Sequence, residues 1–215
     1  MKLHLGCGQR YLEGYVNIDF PPSEHSVQEK TIADIHADIL TLRYPAESIK
    51  EVRLHHVFEH FPRPIACALV ASWRSWLAPK GTIHIEVPDF HKTAQVLLNP
   101  FASLARKAVA ERHLFGSHEA HWAVHCEGYT QELLKALLKS YGFQAFKIHK
   151  NAWLGTYNFE MLAVKAAAEM NVDTSEKATR HFLRNFLVDD SEEKLLDVWL
   201  EMYRQQILKS WATDA

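Results

Sequence analysis

The chain has 215 residues, 47% of them hydrophobic and 23% charged, with a net charge of −2. That composition fits one globular unit with an ordinary core and excludes a general electrostatic grip on nucleic acid or on an anionic membrane. No run of 18 apolar residues offers a membrane span, and Cys7, Cys67 and Cys126 are odd in number and far apart, so a reduced, cytoplasmic setting is expected rather than a disulfide framework. The opening MKLHLGCG carries no long apolar segment of the signal-peptide kind, which fits the same expectation.

Residues 2–5 read as a strand ending at Gly6-Cys7-Gly8, and YVNIDF (15–20) as a second, closed by Pro21 and Pro22. The polar run 23–31 reads as a loop. TIADIHADIL (31–40) is a short strand or extended segment carrying Asp34 and Asp38, and IKEVRLHH (49–56) reads as a buried strand. The spacing of Ile65, Leu69, Val70, Trp73, Trp76 and Leu77 predicts a helix over 65–78, opened by Pro64 and ended by APKG (78–81). TIHIEV (82–87) alternates as a strand up to Pro88. Residues 91–112 are helical in composition except at Asn99-Pro100, and 113–129 have no clean period and read as a loop. Thr130 suits the N-cap of a helix over 131–141 with Gly142 as its stop. FQAFKIHK and NFEMLAVKA then form an antiparallel pair joined across NAWLGTY.

After Ala168 two amphipathic helices are predicted. One pairs Phe182 with Phe186 and Leu183 with Leu187. The other carries Leu196, Trp199, Leu200, Tyr203, Ile207 and Trp211 on one stripe, behind Asp190 and Glu193 at capping-box spacing. That stripe either packs on the main unit or forms a homodimer surface. The order of elements argues a mostly parallel α/β sheet with an antiparallel closing strand over 1–168, and a helical extension over 169–215.

There are 14 histidines, clustered at 55–60 and 113–125. HVFEH (56–60) matches the H-x-x-E-H signature of some zinc hydrolases. Such a site needs the motif on a sustained helix and a third ligand downstream. Here the motif starts at a strand end, and Pro62 and Pro64 stop any helix within a turn. No metal is assigned from these residues.

LHLGCGQRYLEGYVNIDF supplies strand, glycine loop and second strand, with Asp19 at the end of the second. Gly6 and Gly8 let the backbone approach a ligand, and a carboxylate at 19 can accept both hydroxyls of a ribose. Position 11 is Tyr, so the third glycine of a dinucleotide fingerprint is missing. Ten residues between Gly8 and Asp19 are too few for the usual helix. No Lys-Ser/Thr follows the loop, which excludes a P-loop. A ligand with a ribose and no phosphate fits better, and S-adenosylmethionine is such a ligand.

LHLGCG…GYVNIDF, DIHADI, RLHHVFEHFPRP, WLAPKGTIHIEVPDF and HCEGYTQELLKALLKSYGF, in that order, resemble class I S-adenosylmethionine-dependent methyltransferases. The likeness covers about residues 2–166 and is strongest to a small branch of predicted methyltransferases often linked to sugar or polysaccharide pathways. It implies a Rossmann-like sheet and methyl transfer to a small-molecule or glycan-precursor acceptor. The alternative is a non-catalytic cofactor-binding regulatory protein. It places Leu5, Gly6, Cys7 and Gly8 at the methionine end of the cofactor, and Asp19 on the ribose with Phe20 against the adenine. It sets Asp38 and Ile39 beside the base, and His55 and His56 at the end of the fourth strand. His56, His60 and His125 are the candidate catalytic residues, and the loop with His113, His118, His121 and Trp122 the candidate lid. A similar E-x-x-E-H segment holds a divalent ion in some ubiquinone-pathway O-methyltransferases. The resemblance thus implies a metal alternative at His56, Glu59 and His60. No nucleic-acid or membrane partner is expected.

Overall fold

The computed structural model describes residues 1–24 and 30–212, and most of the loop expected over 23–31 lies outside them. Seven strands, β1 (Lys2–Leu5), β2 (Val16–Asp19), β3 (Ile35–His36), β4 (Ile49–His55), β5 (Leu77–Pro88), β6 (Phe143–Trp153) and β7 (Thr156–Lys165), form one sheet in the order β3-β2-β1-β4-β5-β7-β6. β7 runs antiparallel to both of its neighbours, and the pairs from β3 to β5 are parallel. The order reverses between β1 and β4, so the crevice beyond their C-terminal ends is where such a sheet binds ligands.

The α-helices among the described residues are α1 (Arg63–Trp76), α2 (Phe90–Leu98), α3 (Leu104–Phe115), α4 (Gln131–Ser140), α5 (Val172–Arg184) and α6 (Glu193–Ser210). None is long and apolar enough to cross a membrane among the described residues. One sheet face is apolar: Leu5, Ile18, Leu54, Ile85 and Met161 sit in register across five strands and are all wholly buried. They share a core with Leu69, Trp73 and Trp76 of α1, Leu134 and Leu138 of α4, Phe182 and Leu183 of α5, and Leu196, Leu200, Tyr203 and Ile207 of α6.

The other face is polar. Arg53 lies 3.4 Å from Glu51 and 3.5 Å from Glu160, and His84 lies 3.4 Å from each of the same two acids. The hydrogen bond from His84, with Arg53 nearby, holds the Glu160 carboxyl down at about 2. β4 is therefore buried on one face only, against the expectation of a buried strand. The physical reason is topological. Among the described residues only the β4–β5 crossover carries an α-helix between parallel strands, so no crossover helix covers the second face as it would in a doubly wound sheet.

Three local expectations are corrected. The first helix ends at Trp76, and APKG belongs to β5: Leu77 already pairs with Ile49, and a register shift with Lys80 at φ +63° absorbs the proline and glycine. α3 continues to Phe115, so His113 is helical, and Gly116 at φ +93° ends it. The capping box at Asp190 and Glu193 does not form. Asp189 instead accepts from the Ser191 N–H at 2.8 Å, and Glu192 turns back to the Val188 N–H at 2.8 Å. The reciprocal box sits on α5, where Asn171 and Thr174 exchange two 2.9 Å bonds.

α6 lies across α1. The Trp76 indole N–H donates to the Ser210 carbonyl at 2.9 Å, the Ser72 and Ser210 hydroxyls are 2.9 Å apart, and Gln206 donates to the Leu40 carbonyl at 2.8 Å. The apolar stripe of α6 thus packs inside the chain. Leu195, Val198 and Leu208 are exposed on its outer side.

Candidate functional site

A cavity of about 1270 Å³ opens at the C-terminal ends of β1, β2 and β4. Gly6, Cys7 and Gly8 form one wall; Asp19, Phe20, Asp38 and Ile39 form the second; His55, His56 and His60 form the third. Gly6 sits at φ +66°, and a Cβ there would meet Val57 Cγ2 at 2.3 Å, so the loop packs directly on the turn after β4. Gly8 sits at φ +53° with nothing within 4 Å of its missing Cβ. One glycine serves packing and the other keeps open space. Leu5 is wholly buried and does not line the cavity; it supports the loop from beneath.

The Asp19 carboxylate is fixed by the sheet end. Its oxygens accept the Gly8 N–H at 2.5 Å and the Phe20 N–H at 2.7 Å. Asp38 accepts the Leu40 N–H at 2.9 Å and so caps the short turn that presents Ile39. The Cys7 thiol is pushed up to about 12 by burial and by the nearby Asp19 charge, so it is a neutral packing group.

His55 ends a buried relay. His4 Nδ1 lies 3.0 Å from the Asn17 amide oxygen, and His4 Nε2 lies 2.9 Å from His55 Nδ1. The amide oxygen accepts, so His4 carries its proton on Nδ1, His55 donates to His4 Nε2, and His55 Nε2 is left as an acceptor. Burial, with Arg10 and His4 adding to it, lowers the His55 pKa to about 3, so this ring stays neutral.

His56 is the opposite case. Burial alone would lower its pKa, but Glu59 at 3.4 Å from Nδ1 and Glu86 at 3.2 Å from Nε2 outweigh that and raise it to about 9. Its backbone stands at φ +54°, a strained region for a residue with a Cβ, and the two acids hold it there. Glu86 was not picked out by sequence reasoning. A strand-end glutamate in TIHIEV carries no signature, and only the register His55↔Glu86 brings it beside the histidine pair.

HVFEH follows the end of β4 and forms one 3₁₀ turn over Phe58–His60, not an α-helix, as the prolines require. The Glu59 carbonyl accepts the N–H groups of Cys126 (2.8 Å) and Glu127 (3.1 Å), which ties the turn to the loop before α4 and brings His125 alongside. Glu59, His60 and His125 place their side-chain ligand atoms within 4.8 Å of one another. Glu59 is buried and neither carboxylate oxygen has a well-formed hydrogen bond; His125 Nε2 lies 3.9 Å from Oε1. Burial pushes the Glu59 carboxyl up, but His56 and the neighbouring rings prevail and hold it below its ordinary value. His60 Nδ1 lies 3.1 Å from the Val124 carbonyl, so Nδ1 carries the proton and Nε2 bears a lone pair. His125 is lowered chiefly by burial and is neutral; it stands behind His60, off the cavity wall, with the two rings edge to face at 4.7 Å.

Glu119, His121 and Trp122 line the cavity as the lid reading expects. The Trp122 indole N–H donates to the Glu24 carbonyl at 2.8 Å, pinning this segment to the turn after β2. His118 and His113 do not reach the cavity; His113 sits with its ring 6.0 Å from that of His56. Arg10 and Lys30 also line it, and sequence reasoning passed over both.

No family model matches the sequence, and no curated protein matches it. Solved structures do match. An S-adenosylmethionine-dependent methyltransferase from Methanosarcina mazei superimposes with a TM-score of 0.51 at 14% identity, over 78% of this chain and 92% of that one. One from Mesorhizobium loti gives 0.51 at 13% identity, over 76% and 90%. The chain has the class I methyltransferase fold. A third methyltransferase, the 1,6-didemethyltoxoflavin-N1-methyltransferase of Burkholderia thailandensis, was solved with its substrate and S-adenosylhomocysteine. It gives 0.52 at 14% identity, over 77% and 70%.

Proposed function

We propose that this protein transfers a methyl group from S-adenosylmethionine to a small-molecule or saccharide acceptor. The observation that carries the reading is the pairing of Gly8, open to a ligand, with Asp19, fixed by the Gly8 N–H at the switch point of a methyltransferase-type sheet. The cavity volume suits a nucleoside-sized cofactor with an acceptor beside it. The Burkholderia neighbour acts on a small molecule, which agrees with this scale.

The residues fit the cofactor. Asp19 would hold the ribose, Phe20 and Ile39 would enclose the adenine with Asp38 at its edge, and Gly6 to Gly8 would lie along the methionine end. No helix follows β1, so no helix N-terminus meets the carboxylate there; Arg10 and Lys30 on the cavity wall are the cations on hand. The cofactor supplies an electrophilic methyl group on a good leaving group. The chain's own task is alignment and removal of the acceptor proton. His60 Nε2 is the base, since His60 faces the cavity in the tautomer with that lone pair. His56, held charged by two acids, cannot accept a proton at neutral pH and acts as a fixed positive charge instead.

A specific observation favours a metal-assisted variant. Glu59 is a buried carboxylate with no well-formed hydrogen bond, paired with His56 at 3.4 Å and flanked by His60 and His125. The ring of His60 is oriented by Val124 and that of His125 by the Leu114 backbone. Glu59, His60 and His125 would hold a divalent ion, which would polarise an acceptor hydroxyl. His125 then takes the place that the family resemblance gave to His56.

Calorimetry with S-adenosylmethionine and S-adenosylhomocysteine, followed by methyl transfer from labelled cofactor to candidate acceptors, tests the reading. His60→Ala should bind cofactor normally and lose about 10²–10⁴ in turnover. If neither cofactor form binds, the proposal fails. Binding without any turnover favours the regulatory alternative, and activity lost to a chelator and restored by a divalent ion favours the metal-assisted variant.

A further inference from the structure

A second cavity, of about 510 Å³, lies between α2, α3 and the β6–β7 hairpin and shares no lining residue with the first. Lys92, Arg106 and Lys150 all line it. Among the described residues none of the three forms an ion pair. Arg106 reaches only the Tyr157 hydroxyl at 3.2 Å, and Lys92 the Gln95 amide oxygen at 3.5 Å. The single carboxylate in the lining, Asp89, is buried and already occupied: it caps α2 through the Lys92 N–H at 3.0 Å and accepts from Gln131 at 3.3 Å. Three cations thus border one hollow against a single carboxylate, in a chain whose net charge is −2.

The floor of this cavity is polar and connected. Asn158 is buried, and its Oδ1 makes no well-formed hydrogen bond, with the His113 ring as the donor on hand. Asn158 Nδ2 donates to Asn151 Oδ1 at 2.9 Å, Asn151 Nδ2 donates to Glu86 Oε2 at 3.1 Å, and Glu86 Oε1 lies 3.2 Å from His56 Nε2. The wall between the two cavities is therefore a chain of hydrogen bonds ending on the charged histidine.

We propose that the second cavity binds a phosphate-bearing ligand, and that the Asn158–Asn151–Glu86 chain makes its occupancy felt at His56. Phosphate matches the donors: a guanidinium fork, two ammonium groups and a tyrosine hydroxyl. The proposal does not rest on methyl transfer, because it is tested without cofactor.

Calorimetry at low ionic strength with inorganic phosphate, glucose 1-phosphate and glucose measures the site, and the ring resonances of His56 report the coupling. Both phosphates should bind saturably and glucose should not. An Arg106→Ala/Lys150→Ala double variant, whose sites are exposed, should bind at least tenfold more weakly. Lys147→Ala, on the same strand outside the cavity, should bind as the unmodified chain does. Tighter binding of glucose 1-phosphate identifies a phosphorylated saccharide as the ligand, and equal binding identifies phosphate itself; either supports the site. Absence of saturable binding, or binding indifferent to the double variant, overturns it. Saturation that leaves the His56 resonances unmoved overturns the coupling.

Discussion

His56 is held against Glu86 across the ends of two neighbouring strands, Nε2 to Oε1 at 3.2 Å. The contact exists because β4 and β5 pair His55 with Glu86, and because His56 leaves β4 at φ +54°, which swings its ring back over the sheet end. With Glu59 on its other nitrogen, the ring is raised from 6.5 to about 9.

The sign of the pH dependence follows. A histidine raised on folding adds stability that is fully present below pH 6.5 and is lost as pH rises through about 9. The melting temperature should therefore fall between those values, and His56→Gln should flatten that slope. Histidine ring titration by NMR checks it directly. Glu86→Gln should lower the His56 pKa, and a wild-type ring titrating near 6.5 would contradict the pairing.

Gly6→Ala should destabilise the chain by about 1–3 kcal/mol, since φ +66° and the 2.3 Å approach to Val57 both oppose a Cβ. Adding Val57→Ala should recover the steric part and leave the backbone part. Urea unfolding of the two variants separates them.

Asp19→Asn keeps the shape but removes the charge that faces Gly8 and Phe20. Affinity for S-adenosylhomocysteine should drop at least tenfold, a loss of about 1.4 kcal/mol or more. Circular dichroism should show the fold retained, and titration calorimetry gives the affinity.

Leu200→Ala on α6 should cost about 2–5 kcal/mol, the range for a wholly buried leucine. A chain ending after Ala168 should fail to unfold cooperatively, because Trp76 and Ser72 lose their partners at Ser210. Chemical denaturation followed by tryptophan fluorescence reads both.

The sheet and its glycine loop were legible because they depend on period and punctuation. Leu3, Leu5, Val52 and Leu54 alternate inward, and Gly6 and Gly8 sit at positive φ, which glycine adopts with least strain. What escaped the sequence depends on register. Glu86 and Asn151 have no local signature, and neither does the charge state of His56. The polar second face was hidden for a related reason: Glu51, Arg53 and His84 look like intrusions in buried strands until the missing crossover helices are known. APKG misled because Pro and Gly punctuate a bulged strand as readily as a helix end. The stripe on α6 was visible, but whether it covered this chain or a second copy was not; the partners at Leu40 and Ser72 decided that.

The seat of α6 has a consequence for biosynthesis. Trp76 and Ser210 stand 134 residues apart, so α1 is translated roughly 7–27 s before its cover, at ordinary elongation rates of about 5–20 residues per second. Throughout that interval the nascent sheet carries an unfinished apolar flank. The yield of the chain in a cell will therefore depend on whatever shields that flank until α6 is made.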